Sequence, residues 1–522
     1  MKRLIKGAIM LTLAGIIGKL LGAMYRIPLQ NLTGDLGFYT YQQIYPILAA
    51  ATIMSLYGFP AAVSRLSKEE MVKGNDIYNP HYIRSVFFML FMICGGFGVL
   101  LFALAPFIAR LMQDEWMVFP LQLSAALFLF LPFISLVRGL SQAELKAEAT
   151  AYSQLMEQVF RVAIIIFGSW LVFRGLLHVR SIATVGVIAS MAGMTLSTIV
   201  LWFFFVRQKR SAGNIPGSST INWRTYLKTM LTFGLIASLN HLSLILLQFV
   251  DALTLVPQLM KLGFTPLSAM EQKGIYDRGI PLIQIGVVLG SSFALMFVPT
   301  VVEKHKRNQL KRIRDAFSVC IYLALGATAG LIVLFPEVNR LLFMDDQQTA
   351  VLQILALSII FLSISITGSA ILLTSDYASF TVVSLVVAVM LKWLLNVILV
   401  PIWGTYGGAL ATAGSLFILA AMILYGIYKK LSISPLSFIP FFPPAAATSM
   451  MVIYLYAVKC CFQAEAFSRL HLLFYVSFLI VSGAFLYLTV LIRFDALNKR
   501  QLLALPLKRW WFSIYTFFHG KR

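Results

Sequence analysis

An all-α protein threaded many times through a membrane is the fold class this sequence predicts, and three observations predict it. Of 522 residues, 59% are hydrophobic and only 12% charged. A soluble chain of this length could not keep so much apolar surface away from water. The apolar residues fall in segments of membrane-crossing length. The 42 lysines and arginines, against 20 aspartates and glutamates, lie mostly in short runs between those segments, as cytoplasmic loops do. The same distribution excludes a nucleic-acid-binding chain, because the net charge of +22 has no polar domain to carry it.

In chain order the spans fall near 7–30, 38–63, 85–109, 117–137, 155–175, 183–206, 227–256, 280–302, 316–337, 351–373, 378–400, 406–428, 441–461 and 470–492, fourteen in all. Each holds about 20 apolar residues, enough for a helix to cross the hydrocarbon layer. The first follows a basic start, MKRLIK, as a signal peptide would. Its apolar stretch runs on too long, carries Lys19 and Arg26 and has no small-residue cleavage site, so it is expected to stay in the membrane. An even number of spans puts both termini on one side. The basic runs EKHKRNQLKRIR (303–314), VRQKRSAGN (206–214) and the tail ending FHGKR contrast with NLTGDLG (31–37) and MDDQQ (344–348), which are neutral or acidic. That bias predicts cytoplasmic termini.

The polar linker RQKRSAGNIPGSSTINWRTYLK (207–228) follows the sixth span and divides the chain. The expected organisation is a six-helix lobe over 1–206, a cytoplasmic linker over 207–226, a second six-helix lobe over 227–428, two further helices over 429–492 and a cytoplasmic tail over 493–522. Internal repetition is faint. The stretches 138–161 and 367–392 each end a helix, turn, and begin another with a buried cation, the pattern of two-lobed transporters with a site at mid-membrane. The four cysteines, Cys94, Cys320, Cys460 and Cys461, lie in or beside apolar segments. They form no CxxC and stand near no histidine pair, which argues against a metal site or a disulfide framework.

Ionisable residues inside spans are costly and mark partners, cargo or water-filled cavities. Lys19 lies about 18 Å along the first helix at 1.5 Å per residue, near mid-membrane. Arg26, seven residues on, shares its face, and either snorkels to the outer surface or meets a cavity. For Lys19 the alternatives are a structural ion pair and a cavity. GIIGKL does not make a phosphate loop, since the earlier glycine and the Ser or Thr after Lys19 are missing. Asp251 sits near the outer end of the seventh span, and Lys392 and Asn396 share a face of the eleventh. Local neutralisation is the alternative reading for Asp251 and Lys392. Cations outnumber carboxylates in the spans, which favours an anionic cargo. In GIYDRGIPLIQIG (274–286), Asp277 and Arg278 stand at the mouth of an apolar segment and need a partner, a substrate or water. An enzyme is not expected. The adjacent acidic pair Asp345–Asp346 stands in a very short outer loop, and no HExxH, serine–histidine or nucleotide motif occurs.

Several stretches together resemble a known family. They are RGLSQ followed by AYSQLMEQVFRV (138–162, with Arg138, Glu157 and Arg161), GIYDRGIPLIQ followed by FVPTV (274–301), KWLLNVILVPIWGTYGGALAT (392–412) and GKLLGAMYRIPL (18–29). They are similar to the stage V sporulation protein B group of polysaccharide biosynthesis proteins. That group lies within the multidrug/oligosaccharidyl-lipid/polysaccharide exporter superfamily and is related to the lipid II flippases. The resemblance covers nearly the whole chain. It implies two six-helix lobes around a central cavity, with the last two helices helping to form a groove for a lipid tail. It also implies that Lys19, Arg26, Tyr276, Asp277 and Arg278 belong to a cavity that receives a pyrophosphate. Asp277 would orient Arg278 or be a solvated loop acid. A third arginine of the flippases has no counterpart in SLYGFPAAV (55–63). Lys392, Arg138, Glu157 and Arg161 are further lobe or cavity motif residues. Asp251, Asn396 and Thr412 resemble three ligands of a sodium site found in some relatives, with Val400 where a second carboxylate is expected.

The expected function is therefore a flippase or exporter of a polyprenyl-pyrophosphate-linked saccharide for peptidoglycan or a spore or cell-wall polysaccharide. It would work by alternating access in a bacterial cytoplasmic membrane. The partners are the lipid-linked saccharide and membrane lipids. No cofactor is expected beyond sodium or a proton as coupling ion, and the chain is expected to be a monomer. A multidrug cation antiporter on the same fold and a membrane scaffold for cell-wall enzymes are the competing readings.

Overall fold

A computed structural model describes residues 2–211, 222–295, 306–373, 377–431, 441–462, 467–502 and 508–519. The centre of the polar linker (212–221), FVPTV (297–301), the first residues of the 303–314 basic run and the terminal GKR lie outside them. All elements among the described residues are helices. Twelve helical runs are long and apolar enough to cross a membrane. The difference from fourteen has two sources. The first two expected spans form one run, Ala14–Val72. The eighth is described only as Gly279–Leu295, 17 residues that stop where the described residues stop.

The chain forms two compact units that part between Asp277 and Arg278. Composition placed the division earlier, at the polar linker. Contacts place it later, because the seventh span packs on the helices before it.

The first unit holds α1 (Lys2–Met24), α2 (Arg26–Ile53), α3 (Phe59–Val72), α4 (Pro80–Met112), α5 (Val118–Ser124), α6 (Leu131–Ala143), α7 (Glu148–Phe173) and α8 (Ile182–Ser211). It continues with α9 (Trp223–Thr229), α10 (Leu235–His241), α11 (Ser243–Lys261) and α12 (Pro266–Asp277). Asn79 caps α4 by accepting from the His81 amide, with Pro80 in the first turn, where its missing N–H costs nothing. Gly34, at φ 68°, kinks α2 in a region of backbone space that side chains with a Cβ rarely enter. The expected seventh span is broken twice. A π-helical turn over Met230–Gly234 separates α9 from α10, and Leu242 separates α10 from α11. A second π turn, Met54–Gly58, joins α2 to α3 and packs against the first. Such turns release backbone carbonyls from the helical ladder, and one of them is used below. The core joins leucines, valines and aromatics of α2, α3, α4, α6 and α8, among them Phe38, Phe59, Val63, Leu140 and Leu201.

Two placements in this unit matter for the site. Gln43 of α2 donates to the Ala252 carbonyl of α11 at 3.2 Å, fixing α11 on α2. Gly274 of α12 lies against the Asp35 carbonyl, where an added Cβ would come within 2.2 Å. Only glycine permits that approach, and it holds the charged end of α12 on the N-terminal part of α2.

The second unit holds α13 (Gly279–Leu295), α14 (Lys306–Phe343), α15 (Thr349–Ala356), α16 (Ser358–Leu373), α17 (Ala378–Trp403), α18 (Thr405–Leu431), α19 (Phe442–Cys461), α20 (Arg469–Arg493), α21 (Lys499–Leu502) and α22 (Lys508–His519). A turn at Gly404 (φ 59°) folds α18 back on α17. α19 and α20 pair with each other and against α14.

Candidate functional site

In the first unit, the start of α2 presents a buried cation. Arg26 is 0% exposed, and its guanidinium carbon stands 3.9 Å above the centre of the Tyr45 ring. The hydroxyls of Tyr25 and Tyr41 bond to each other beside it. None of the three guanidinium nitrogens has a hydrogen-bond partner among the described residues. The aromatic face offsets part of the cost of dehydrating the charge, and the donors stay unspent. The sequence places Lys19 on the same helix face as Arg26, but α1 ends at Met24 and Arg26 opens α2, so the two cations sit on separate helices. Lys19 is exposed, and it lies within electrostatic reach of His241, whose ring stacks on Tyr57 at 4.1 Å.

α12 places a second charged group in the same unit. Asp277 is buried and accepts from the Lys273 ammonium one helical turn earlier, at 2.6 Å. Lys273 is 1% exposed and also lies over the Tyr39 ring. Burial pushes the Asp277 carboxyl above the usual carboxylate range, and the Lys273 ammonium only partly offsets this. Asp277 lies within electrostatic reach of Arg26 and Asp251. Asp251, on α11, accepts from the Tyr276 hydroxyl at 3.5 Å. The carboxylate beside Arg278 in sequence is therefore a buried partner of Lys273 and not a solvated loop acid.

A third group, also in the first unit, centres on an arginine whose nitrogens are all satisfied. Arg138 of α6 makes five hydrogen bonds, to Ser153, to the Ser55 carbonyl and hydroxyl, to Glu157 and to Ser197. Glu157 of α7 uses its other oxygen to accept from Arg161 at 2.8 Å, and Arg161 also donates to Thr52. The Ser55 carbonyl belongs to the π turn after α2, so the network binds α6 and α7 to that turn.

In the second unit, Arg278 is 0% exposed and forms a two-pronged pair with Asp345, with contacts of 2.5 and 3.0 Å. Phe343 lies 5.4 Å from its guanidinium carbon. On α17, Lys392, Asn396 and Val400 recur every fourth residue and all are 0% exposed. The Lys392 ammonium donates to the Gly408 carbonyl at 3.1 Å and to the Thr412 hydroxyl at 2.5 Å, both on α18. Thr412 donates in turn to the Gly408 carbonyl.

Helices carrying buried, specifically placed cations through a membrane-type core are the setting in which the chain's relatives can be compared. The sequence profile of the polysaccharide biosynthesis protein family matches residues 4–305. The chain belongs to that family. Among curated relatives of this polysaccharide biosynthesis protein, the uncharacterized membrane protein YabM of Bacillus subtilis is 36% identical over 81% of this chain and 80% of its own length. The lipid II flippase MurJ of the same organism is 24% identical over 81% and 82%. Its stage V sporulation protein B is 21% identical over 96% and 98%. Among solved structures, lipid II flippase MurJ in an inward closed conformation matches with a TM-score of 0.69 at 14% identity, covering 95% of this chain and all of that one. An inward-facing multidrug resistance MATE family transporter matches with a TM-score of 0.58 at 13% identity, over 80% and 94%. The protein is a multi-span membrane protein with the fold these share.

Sequence reasoning missed the partners. Lys273 stands one turn before Asp277, a spacing that pairs charges on a helix, and could have been found. Asp345 was read as part of a short outer loop, 67 residues from the arginine it holds. The serines and threonine around Arg138 and Arg161 carry no signal of their own in an apolar helix.

Proposed function

We propose that this family member is a flippase or exporter that carries a lipid-linked saccharide across the bacterial cytoplasmic membrane by alternating access, with both termini cytoplasmic. The observation that carries the reading is Arg26: a fully buried guanidinium over Tyr45 with all its donors unspent. Such a group is dehydrated without return until an anion arrives, and a pyrophosphate offers several acceptor oxygens to its fork. Lys19, exposed on the preceding helix, supplies a second cation along the route. Arg278 acts differently in this reading, as a cation already neutralised by Asp345. The relatives' printed names, a lipid II flippase and a sporulation protein, support a cell-envelope precursor as cargo. A cation antiporter on this fold is less well supported, because a buried guanidinium with its hydrogen-bond donors unspent repels a cationic drug.

The test is complementation of a bacterial strain depleted of its lipid II flippase. Growth with the wild-type chain, lost with Arg26→Glu at equal membrane protein level, is expected. Failure of a well-expressed wild-type chain would remove lipid II as the cargo, and full rescue by Arg26→Glu would remove Arg26 from the site.

A further inference from the structure

The sodium site implied by the family resemblance does not fit the residues of the second unit. A sodium ion needs several oxygen ligands and no competing positive charge. Of the oxygens that α17 and α18 bring together, the Thr412 hydroxyl and the Gly408 carbonyl receive the Lys392 ammonium at 2.5 and 3.1 Å. One turn beyond Asn396, where a carboxylate would add charge, Val400 is fully buried and offers no side-chain oxygen. An ammonium carries one positive charge and three N–H donors, so it occupies oxygen acceptors that would otherwise face a monovalent cation. Its four-carbon stem ties it to α17, so it cannot leave.

We propose that Lys392 is a built-in cation that takes the place of a metal ion in the second unit, so that this protein neither binds nor requires sodium there. The ammonium clamps α17 to α18 permanently, where an exchangeable ion would clamp them only when bound. Coupling of transport to an ion gradient then cannot run through sodium at α17 and α18. The inference concerns ion binding and holds whatever the cargo is, so its failure and that of the flippase reading are distinguishable.

Thermal unfolding of the purified full chain in detergent, in sodium chloride and in potassium chloride at equal ionic strength, tests it. A ligand that binds the folded state raises the midpoint. The wild type is expected to unfold at the same temperature in both salts, and Lys392→Ala, which vacates the oxygens, is expected to gain a sodium-specific upward shift of several degrees. Lys392→Gln gives the same reading if the alanine variant does not fold. A sodium-specific shift in the wild type would overturn the proposal. So would a folded Lys392 variant that is as indifferent to sodium as the wild type, because the oxygens would then not be a cation site at all.

Discussion

Arg26 and Arg138 are both fully buried in the first unit, and they could hardly be treated more differently. Arg138 spends its donors on five hydrogen bonds and shares Glu157 with Arg161. Arg26 has none that meets hydrogen-bond geometry; it has the face of Tyr45, the Tyr25 and Tyr41 hydroxyls beside it and Asp277 within electrostatic reach. Dehydrating a charge costs several kcal/mol even after relaxation, and a ring face returns about 0.5–2 kcal/mol. The saturated arginine is therefore part of the scaffold. The unsaturated one is a liability to folding, and under the proposed function its use lies in binding. Burial alone does not separate the two roles; the count of satisfied donors does.

The largest effect on stability should come from the saturated side. Glu157→Ala leaves two buried guanidinium groups without a counter-charge and should cost about 3–5 kcal/mol. The readout is the unfolding temperature in detergent and the amount of protein recovered from membranes. A Glu157→Ala chain as stable as the wild type would show that the network is not part of the scaffold, and the comparison would fail.

A smaller effect is expected where a pair is only partly enclosed. The Asp345 side chain is 33% exposed while Arg278 is buried. Asp345→Asn should cost about 1–2 kcal/mol, since water reaches one partner and screens the loss. A double-mutant cycle on Arg278 and Asp345 should give a coupling of about 1 kcal/mol. Additivity between Arg278 and Asp345 would dissolve the pair.

The smallest effect on stability belongs to Arg26. Arg26→Gln removes a dehydrated charge and a ring contact together, so the unfolding temperature should hold or rise. A drop as large as that of Glu157→Ala would mean that Arg26 has protein partners after all and belongs with the scaffold.

The fold was legible because apolar length is written residue by residue. The breaks were not. The two π turns, Met54–Gly58 and Met230–Gly234, sit in stretches as apolar as their neighbours and meet where Gly58 packs against Gly234 and Ser238. Of the site, the cations were legible, since Lys19, Arg26, Arg278 and Lys392 interrupt apolar runs. Their partners were not. Asp345 and Thr412 reach Arg278 and Lys392 from 67 and 20 residues away, across a helix or a hairpin that a linear reading does not close. Asp277 shows the hazard in reverse: adjacency draws the eye to Arg278, while helical geometry brings Lys273 onto the same carboxylate from one turn away.

The central claim is that Arg26 is held open for an anionic headgroup. The most direct measurement is binding of a polyprenyl-pyrophosphate-linked saccharide to the purified chain, comparing wild type, Arg26→Lys and Arg26→Gln at matched folded fraction. Losing one charge-assisted contact costs about 1.5–3 kcal/mol, or roughly ten- to a hundredfold in affinity. The glutamine variant should show that loss with an undiminished unfolding temperature, and the lysine variant, which keeps the charge without the fork, should fall between. Equal affinity in all three folded proteins would contradict the claim.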